Sequence, residues 1–208
     1  MKTLLHPGYF PSIATMAIVV QASGVVFETH DNYQKQTYRN RAHIAHSNGL
    51  LLLNVPVKHA KDGKRQKTNE VQLENNFPWQ AQHLKSLQSA YRTSPYFEFY
   101  EDDLLPIFER PVTHLMALNI SIFNLLIELI GIETPIERST AYYKDPPQKD
   151  LRGLINPKRG PAHIFEPYTQ VFGERHSFLP NLSVLDLLFN KGPESLSYLQ
   201  AQILNFEF

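Results

Sequence analysis

The chain has 208 residues, with 15 prolines, 9 glycines and no cysteine. At roughly 100–200 residues per domain, that length describes one domain, taken here as the whole of 1–208. Apolar residues make up 42 % and charged residues 19 %, which is enough for a packed core and too little charge for a disordered chain. Twenty basic residues balance twenty acidic ones, so no global field draws the chain to nucleic acid or to an anionic membrane. The lack of cysteine excludes disulfides, thiolate zinc sites, iron–sulfur clusters and a cysteine nucleophile, and it fits a reducing compartment.

The opening Met1-Lys2-Thr3-Leu4-Leu5-His6-Pro7 has an apolar run far too short for the core of a signal peptide, so none is expected. Thr3–Leu5 reads as a short strand stopped by His6-Pro7-Gly8. Phe10–Ser23 reads as a helix, with Pro11 near its first turn and Gly24 past its end. Val25–Thr29, rich in β-branched and aromatic residues, reads as a second strand. Asn48-Gly49 bounds the continuous apolar run Leu50–Val57, which predicts a fully buried central strand. Lys58–Lys67 reads as a charged loop and Asn69–Leu73 as an edge strand.

Pro78–Arg92 reads as a helix whose Trp79, His83, Leu87 and Tyr91 share one face. Helices follow over Ser94–Phe108 and Val112–Ile130, the latter closed by Gly131. The most apolar stretch of the chain, Leu115–Ile132, carries Asn119, Ser121, Asn124 and Glu128. That is too much polarity for a membrane span, so a buried helix is expected. Ile132–Ser139 reads as a strand, and Tyr142–Pro180 as a Pro-rich loop. Asn181–Phe189 reads as a helix with Ser183 and Asp186 in a capping pattern, and Glu194–Leu204 as the last helix. Strands separated by helices predict a layered α/β fold with a mostly parallel, Rossmann-like sheet and additional C-terminal helices.

Two segments concentrate groups suited to anion chemistry. His6-Pro7-Gly8-Tyr9-Phe10-Pro11 lies between a strand end and a helix start, where free N–H groups and a partial positive charge favour an anion. There Gly8 lets backbone approach a ligand and His6 offers acid–base chemistry. Asp31–Arg41 is dense in hydrogen-bonding groups, and Arg39 and Arg41 flank Asn40 with forks that match carboxylate or phosphate. Residues 34–67 hold eight Lys/Arg and one acid, together with His43, His46 and His59. A solvated basic loop is the plain alternative. His83 on its apolar stripe is either a satisfied core residue or a group aimed into a cleft. Asp186 and Asn190 share a helix face. No His-Glu-x-x-His, Walker or Gly-x-Gly-x-x-Gly sequence occurs, so no metal site is expected and the cofactor stays open.

Assembled in order, these pieces resemble the WbqC-like protein family. They are Pro7-x-Tyr9-Phe10-Pro11, Asp31…Tyr38-Arg39-Asn40-Arg41, Val55-Pro56-Val57, Trp79…His83…Tyr91…Pro95-x-Phe97, Leu118-Asn119, and Leu182-Ser183-x-x-Asp186-x-x-Phe189-Asn190-x-Gly192. Asp31-Asn32-Tyr33 and Tyr100-Glu101-Asp102-Asp103 resemble the form in Bacteroides-type bacteria. The resemblance implies an intracellular bacterial protein tied to surface-polysaccharide (O-antigen) gene clusters, with a glycine or other aminoacyl transferase role. Two departures stand out: His6 precedes Pro7 where many members have Gln, and Tyr142–Pro180 lacks the Gly-rich segment many members carry.

Two readings of function follow. In the first, a transferase binds an anionic small molecule or a nucleotide-activated donor, His6 or His83 moves the proton, Arg39 and Arg41 hold the anion, and Gly8, Tyr9, Asp31, Asn40 and Asp186 bind or orient substrate. In the second, a non-catalytic ligand-binding or assembly protein serves the same pathway. Convergence of His6, Arg39, Asn40 and His83 on one cleft separates the two.

Overall fold

The structure is a computed structural model that describes residues 1–58, 65–159 and 164–204. Its centre is a four-stranded, all-parallel sheet of order β5-β2-β1-β6, built from β1 (Thr3–Leu5), β2 (Val25–Phe27), β5 (Ile136–Arg138) and β6 (Lys149–Asp150). The β1 and β2 residues are buried throughout, as expected of strands covered on both faces. Helix α1 (Ile13–Gln21) links β1 to β2 and completes the expected β–α–β unit.

The remaining helices are α2 (Trp79–Tyr91), α3 (Phe97–Glu109), α4 (Leu115–Ile130), α5 (Gly173–His176), α6 (Val184–Lys191) and α7 (Ser195–Ala201). Helix α4 buries Leu115, Leu118, Ile122, Phe123, Leu126 and Ile130, and Phe123 meets Phe27 of β2 edge-on at 4.7 Å. Gly131, at φ 78°, closes it in the left-handed conformation that glycine adopts without penalty. No helix among the described residues is long and apolar enough to cross a membrane.

The apolar run at 50–57 does not form a central strand. Its β4 (Gly49–Asn54) pairs antiparallel with β3 (Arg41–His46) in a separate hairpin, with His46 opposite Gly49. Leu53 is buried, whereas Leu50 is 61 % exposed and Leu52 41 % exposed. The run is an ordinary half-buried strand in which all four alternating positions happen to be leucine. The Asn48-Gly49 pair carries the competing signal, because that dipeptide between apolar residues marks a tight hairpin. Asn69–Leu73 is likewise not an edge strand. Thr68–Glu70 forms a 3-10 turn, and only isolated bridges follow at Gln72 and Leu73.

Helix α6 begins at Ser183, whose hydroxyl accepts from Leu185 N, and ends at Gly192. Gly192 has φ 52°, and a Cβ there would lie 2.5 Å from the Tyr96 ring. The side chain is excluded twice, by backbone conformation and by the ring. Gly192→Ala is expected to destabilise the fold by about 2–4 kcal/mol in urea unfolding; a change below about 0.5 kcal/mol, the size of an ordinary surface substitution, would contradict this packing.

Candidate functional site

The C-terminal ends of the parallel strands open into one cleft. His6 directly follows β1, Glu28 and Asp31 follow β2, and Arg152 follows β6. The chain leaves β1 towards β2 on one side while β6 returns on the other, so the cleft lies at a switch in strand order, where open α/β sheets place their ligands. It measures about 800 Å³, and its wall includes His6, Asp31, Asn32, Gln34, Arg39, Arg65, Lys67, Tyr142, Asp150 and Arg152.

At its floor sits a chain of buried polar groups. Thr68 Oγ1 donates to Asp31 Oδ1 at 2.6 Å, and Arg39 Nη2 donates to Asp31 Oδ2 at 2.5 Å. Arg39 Nη2 also lies 2.9 Å from His6 Nε2, and Nη1 donates to Thr37 Oγ1 at 3.3 Å. Arg39 is 1 % exposed. Burial lowers its pKa and Asp31 resists that shift, so the guanidinium stays charged. His6 is pushed well below its ordinary pKa, first by burial and then by the Arg39 and Arg152 charges; the Glu28 backbone works weakly the other way. His6 is therefore neutral near pH 7. Because Arg39 only donates, Nε2 is the acceptor and the ring proton sits on Nδ1, which is buried without a hydrogen-bond partner of normal geometry.

The segments are held in place from outside the cleft. Asn119 of α4 donates from Nδ2 to both Pro7 O, at 3.0 Å, and Arg39 O, at 2.7 Å. Tyr9 N donates to Tyr38 O, and Tyr38 N to Ile155 O. Gly8 permits this, since a Cβ there would lie 3.1 Å from Tyr38 O. The close approach at Gly8 is thus to protein backbone. Phe10, buried with φ 40°, holds the loop in a conformation that bulky residues rarely adopt.

The start of α1 is not an open anion site. Leu182 O accepts from Ile13 N, Asn181 Oδ1 from Ala14 N and Ser12 Oγ from Thr15 N. The orphan donors of the first turn are taken by the C-terminal segment.

Sequence reasoning missed a second arginine cluster, at half-buried Arg152. Arg152 forms a fork on Asp150, with Nε at 2.9 Å from Oδ1 and Nη2 at 2.6 Å from Oδ2. It also donates to Glu28 Oε2 and to the carbonyls of Tyr143 and Lys144, while Tyr142 lies 5.1 Å from its carbon centre. The Asp150 pairing raises Arg152's pKa and lowers that of Asp150. Buried Glu28 also accepts from His30 N and Ser139 Oγ. The available signal was Asp150 and Arg152 two residues apart around Leu151, with Leu154-Ile155 following, which the Pro-rich composition obscured.

The other expected site residues are dispersed. Tyr9 and His83 are buried against one another, with Tyr9 Oη 2.8 Å from His83 Nδ1, and neither lines the cleft. Burial keeps the Tyr9 phenol protonated and lowers His83 to about 4, with the Asn54 backbone pulling weakly back. Asn40 and Arg41 line a separate concavity. Asp186 lines neither; it accepts from Tyr91 Oη at 2.9 Å, Tyr168 Oη at 2.6 Å and Gln170 Nε2 at 2.8 Å. Burial raises its pKa against these three donors. Its carboxylate ties α6 to α2 and to the preceding loop instead of capping its own helix. His59 lies outside the described residues. Among the described residues no cluster of three or more metal-ligating side chains occurs.

The chain belongs to the WbqC-like protein family, which matches residues 6–158. The match starts at His6 and extends past Asn156, so it contains every residue lining the cleft, whereas Asp186 lies beyond it. A protein of Mycobacterium tuberculosis described as uncharacterized protein Rv1507c is 26 % identical, with 95 % of this chain and 96 % of that protein covered. No solved structure is a significant match.

His83→Leu is expected to leave the Tyr9 hydroxyl buried without a partner, at a cost of about 1–3 kcal/mol. Tyr9→Phe with His83→Leu should recover most of the loss in urea unfolding; a double variant as unstable as the single one would contradict the pairing.

The depressed His83 pKa fixes a pH dependence. Between the unfolded value of 6.5 and about 4, the unfolded chain binds a proton that native His83 refuses. Stability from this residue is therefore complete above pH 6.5 and falls by about 3 kcal/mol as pH drops to 4. His6 acts in the same direction and Asp186 in the opposite one. Wild type should lose stability relative to the Tyr9→Phe/His83→Leu variant across that window and become the less stable of the two near pH 4; a constant difference in urea midpoint would refute it.

Proposed function

We propose that the protein is a transferase of bacterial surface-polysaccharide (O-antigen) assembly that binds an anionic or nucleotide-activated donor in the cleft at the strand ends and transfers a small group such as glycyl. The same reading places it in the cytoplasm. The observation that carries it is the buried Asp31–Arg39–His6 chain at the switch in strand order. Buried charge of this kind costs stability unless fully paired, and here it is set against a ligand-sized space. At the same wall, Arg65 and Lys67 supply positive charge with no carboxylate partner among the described residues, which favours an anion.

In this reading Arg39 offsets charge that develops on the transferred group, with its fork aligned in advance by Asp31 and His6. His6 is too weakly basic in the resting protein to act as a base at neutral pH. An anion bound beside it raises its basicity and brings it into the range for proton transfer. Hydrogen-bonding residues of the wall, Asn32, Gln34 and Asp150, suit the hydroxyls of a sugar.

A second reading, a non-catalytic ligand-binding protein of the same pathway, draws on Arg152. Its donors are already engaged by Asp150, Glu28 and two carbonyls, which suits a fixed wall better than a reacting group.

Thermal-shift screening against nucleotide sugars, nucleotides, glycine and aminoacyl analogues tests the binding. A true ligand at a hundredfold excess over Kd should add about 2.7 kcal/mol of apparent stability. Arg39→Lys keeps the charge and loses the fork, so the shift should disappear, and Arg65→Gln should weaken it while leaving the buried pair intact. No stabilisation by any anionic class would overturn the proposal. Binding without turnover of a bound donor would select the second reading.

A further inference from the structure

Asn40 and Arg41 lie in a second concavity of about 500 Å³, lined also by Tyr33, Lys35, Asn54, Lys58, Glu74 and Phe77. Its size is that of a small-molecule site. The extended segment after Asp31 forms a wall between the two clefts: Asn32 and Gln34 line the first, while Tyr33 and Lys35 line the second. Alternate side chains of an extended backbone point to opposite sides, so one stretch of chain furnishes both. Arg39 and Asn40 repeat the division one step further along.

The second cleft has a prepared cation. Asn54 Oδ1 accepts from Arg41 Nε at 3.1 Å and from Asn40 Nδ2 at 3.3 Å, and Asn40 Nδ2 also donates to Val55 O at 2.8 Å. The hairpin thus fixes one edge of the Arg41 guanidinium. Its terminal amino groups have no hydrogen-bond partner among the described residues. Lys35 and Lys58 add two positive charges that make no ion pair among the described residues, against the single carboxylate of Glu74. Asn40, 6 % exposed, keeps its Oδ1 buried and unpartnered beside this guanidinium. Two aromatic rings complete the lining. Phe77 is 61 % exposed and Tyr33 is half-buried, within electrostatic range of Arg41.

An oriented arginine fork with two further cations selects a carboxylate or phosphate. Exposed aromatic faces beside it select a flat ring, which buries apolar area without opposing the charge. We infer that this cleft is a second binding site, separate from the first, for a small molecule that carries a phosphate or carboxylate on a planar ring. The inference does not rest on the first cleft's role.

Titration of the intact chain with phenyl phosphate, benzoate and inorganic phosphate, followed by calorimetry, tests it. Phenyl phosphate or benzoate should bind saturably and more tightly than inorganic phosphate, and the better of the two identifies the anionic group. Arg41→Gln should weaken that binding at least tenfold, with Arg41→Lys intermediate. Phe77→Ala, a change at an exposed position, should weaken binding of the aromatic probe several-fold and leave inorganic phosphate unchanged. Arg65→Gln, in the first cleft, should leave the affinity of the Arg41-dependent site unchanged. Loss of binding in Arg65→Gln with retention in Arg41→Gln would overturn the inference, as would the absence of saturable binding at millimolar probe.

Discussion

A buried ion pair at the floor of the cleft, Asp31 with Arg39, governs the arrangement of the strand ends. Burying two charges is costly, and the cost is offset where they pair with each other and take further hydrogen bonds. Here Asp31 is completed by Thr68 and Arg39 by His6 and Thr37, so four separate stretches of chain must converge for the pair to be satisfied. The pair draws the segment after β2 against the loop after β1, and Thr68 anchors the far end of the basic stretch. Asn119 fixes the same two loops through their carbonyls. Removing one partner therefore loosens a junction, not a single contact.

The buried Arg39 and the half-buried Arg152 divide the work by their surroundings. Arg152 is engaged on both edges of its guanidinium and stacked by Tyr142, so it shapes the wall. Arg39 is only partly satisfied, since its Nε is buried without a partner and the His6 ring beside it has no partner of normal geometry at Nδ1. Native structures leave few such groups, and those they leave call for an explanation. Chemical potential is thus concentrated on the β1–β2 side of the cleft.

Much of the fold was legible in the sequence where local pattern and burial agree. Val25–Phe27 is β-branched and aromatic because it is enclosed on both faces, and α4 is apolar around most of its surface for the same reason. The Leu50–Leu53 run misled because four leucines hide an alternation that only burial reveals. Within the candidate site, the meeting of His6, Asp31 and Arg39 followed from parallel β1 and β2 joined by one helix. The dispersal of Tyr9, His83 and Asp186 did not, because each is placed by partners remote in sequence: His83 for Tyr9, and Tyr91 and Tyr168 for Asp186. Arg152 was hidden for a different reason. Strand β6 has two residues, too few for any periodicity to register.

That short strand also sets the order in which the molecule can be completed. Thr3 pairs with Val25 on one side but with Lys149 on the other, so the second flank of β1 must wait for a partner 146 positions along the chain. Closing so long a loop is entropically slow, and β6 contributes only two residues of pairing in return. During synthesis β1 therefore emerges as an open edge, and the cleft wall carrying Asp150 and Arg152 is the part added last. A ribosome-bound chain that ends before residue 149 has the Asp31–Arg39 junction within reach but lacks the wall of its cleft that carries Asp150 and Arg152.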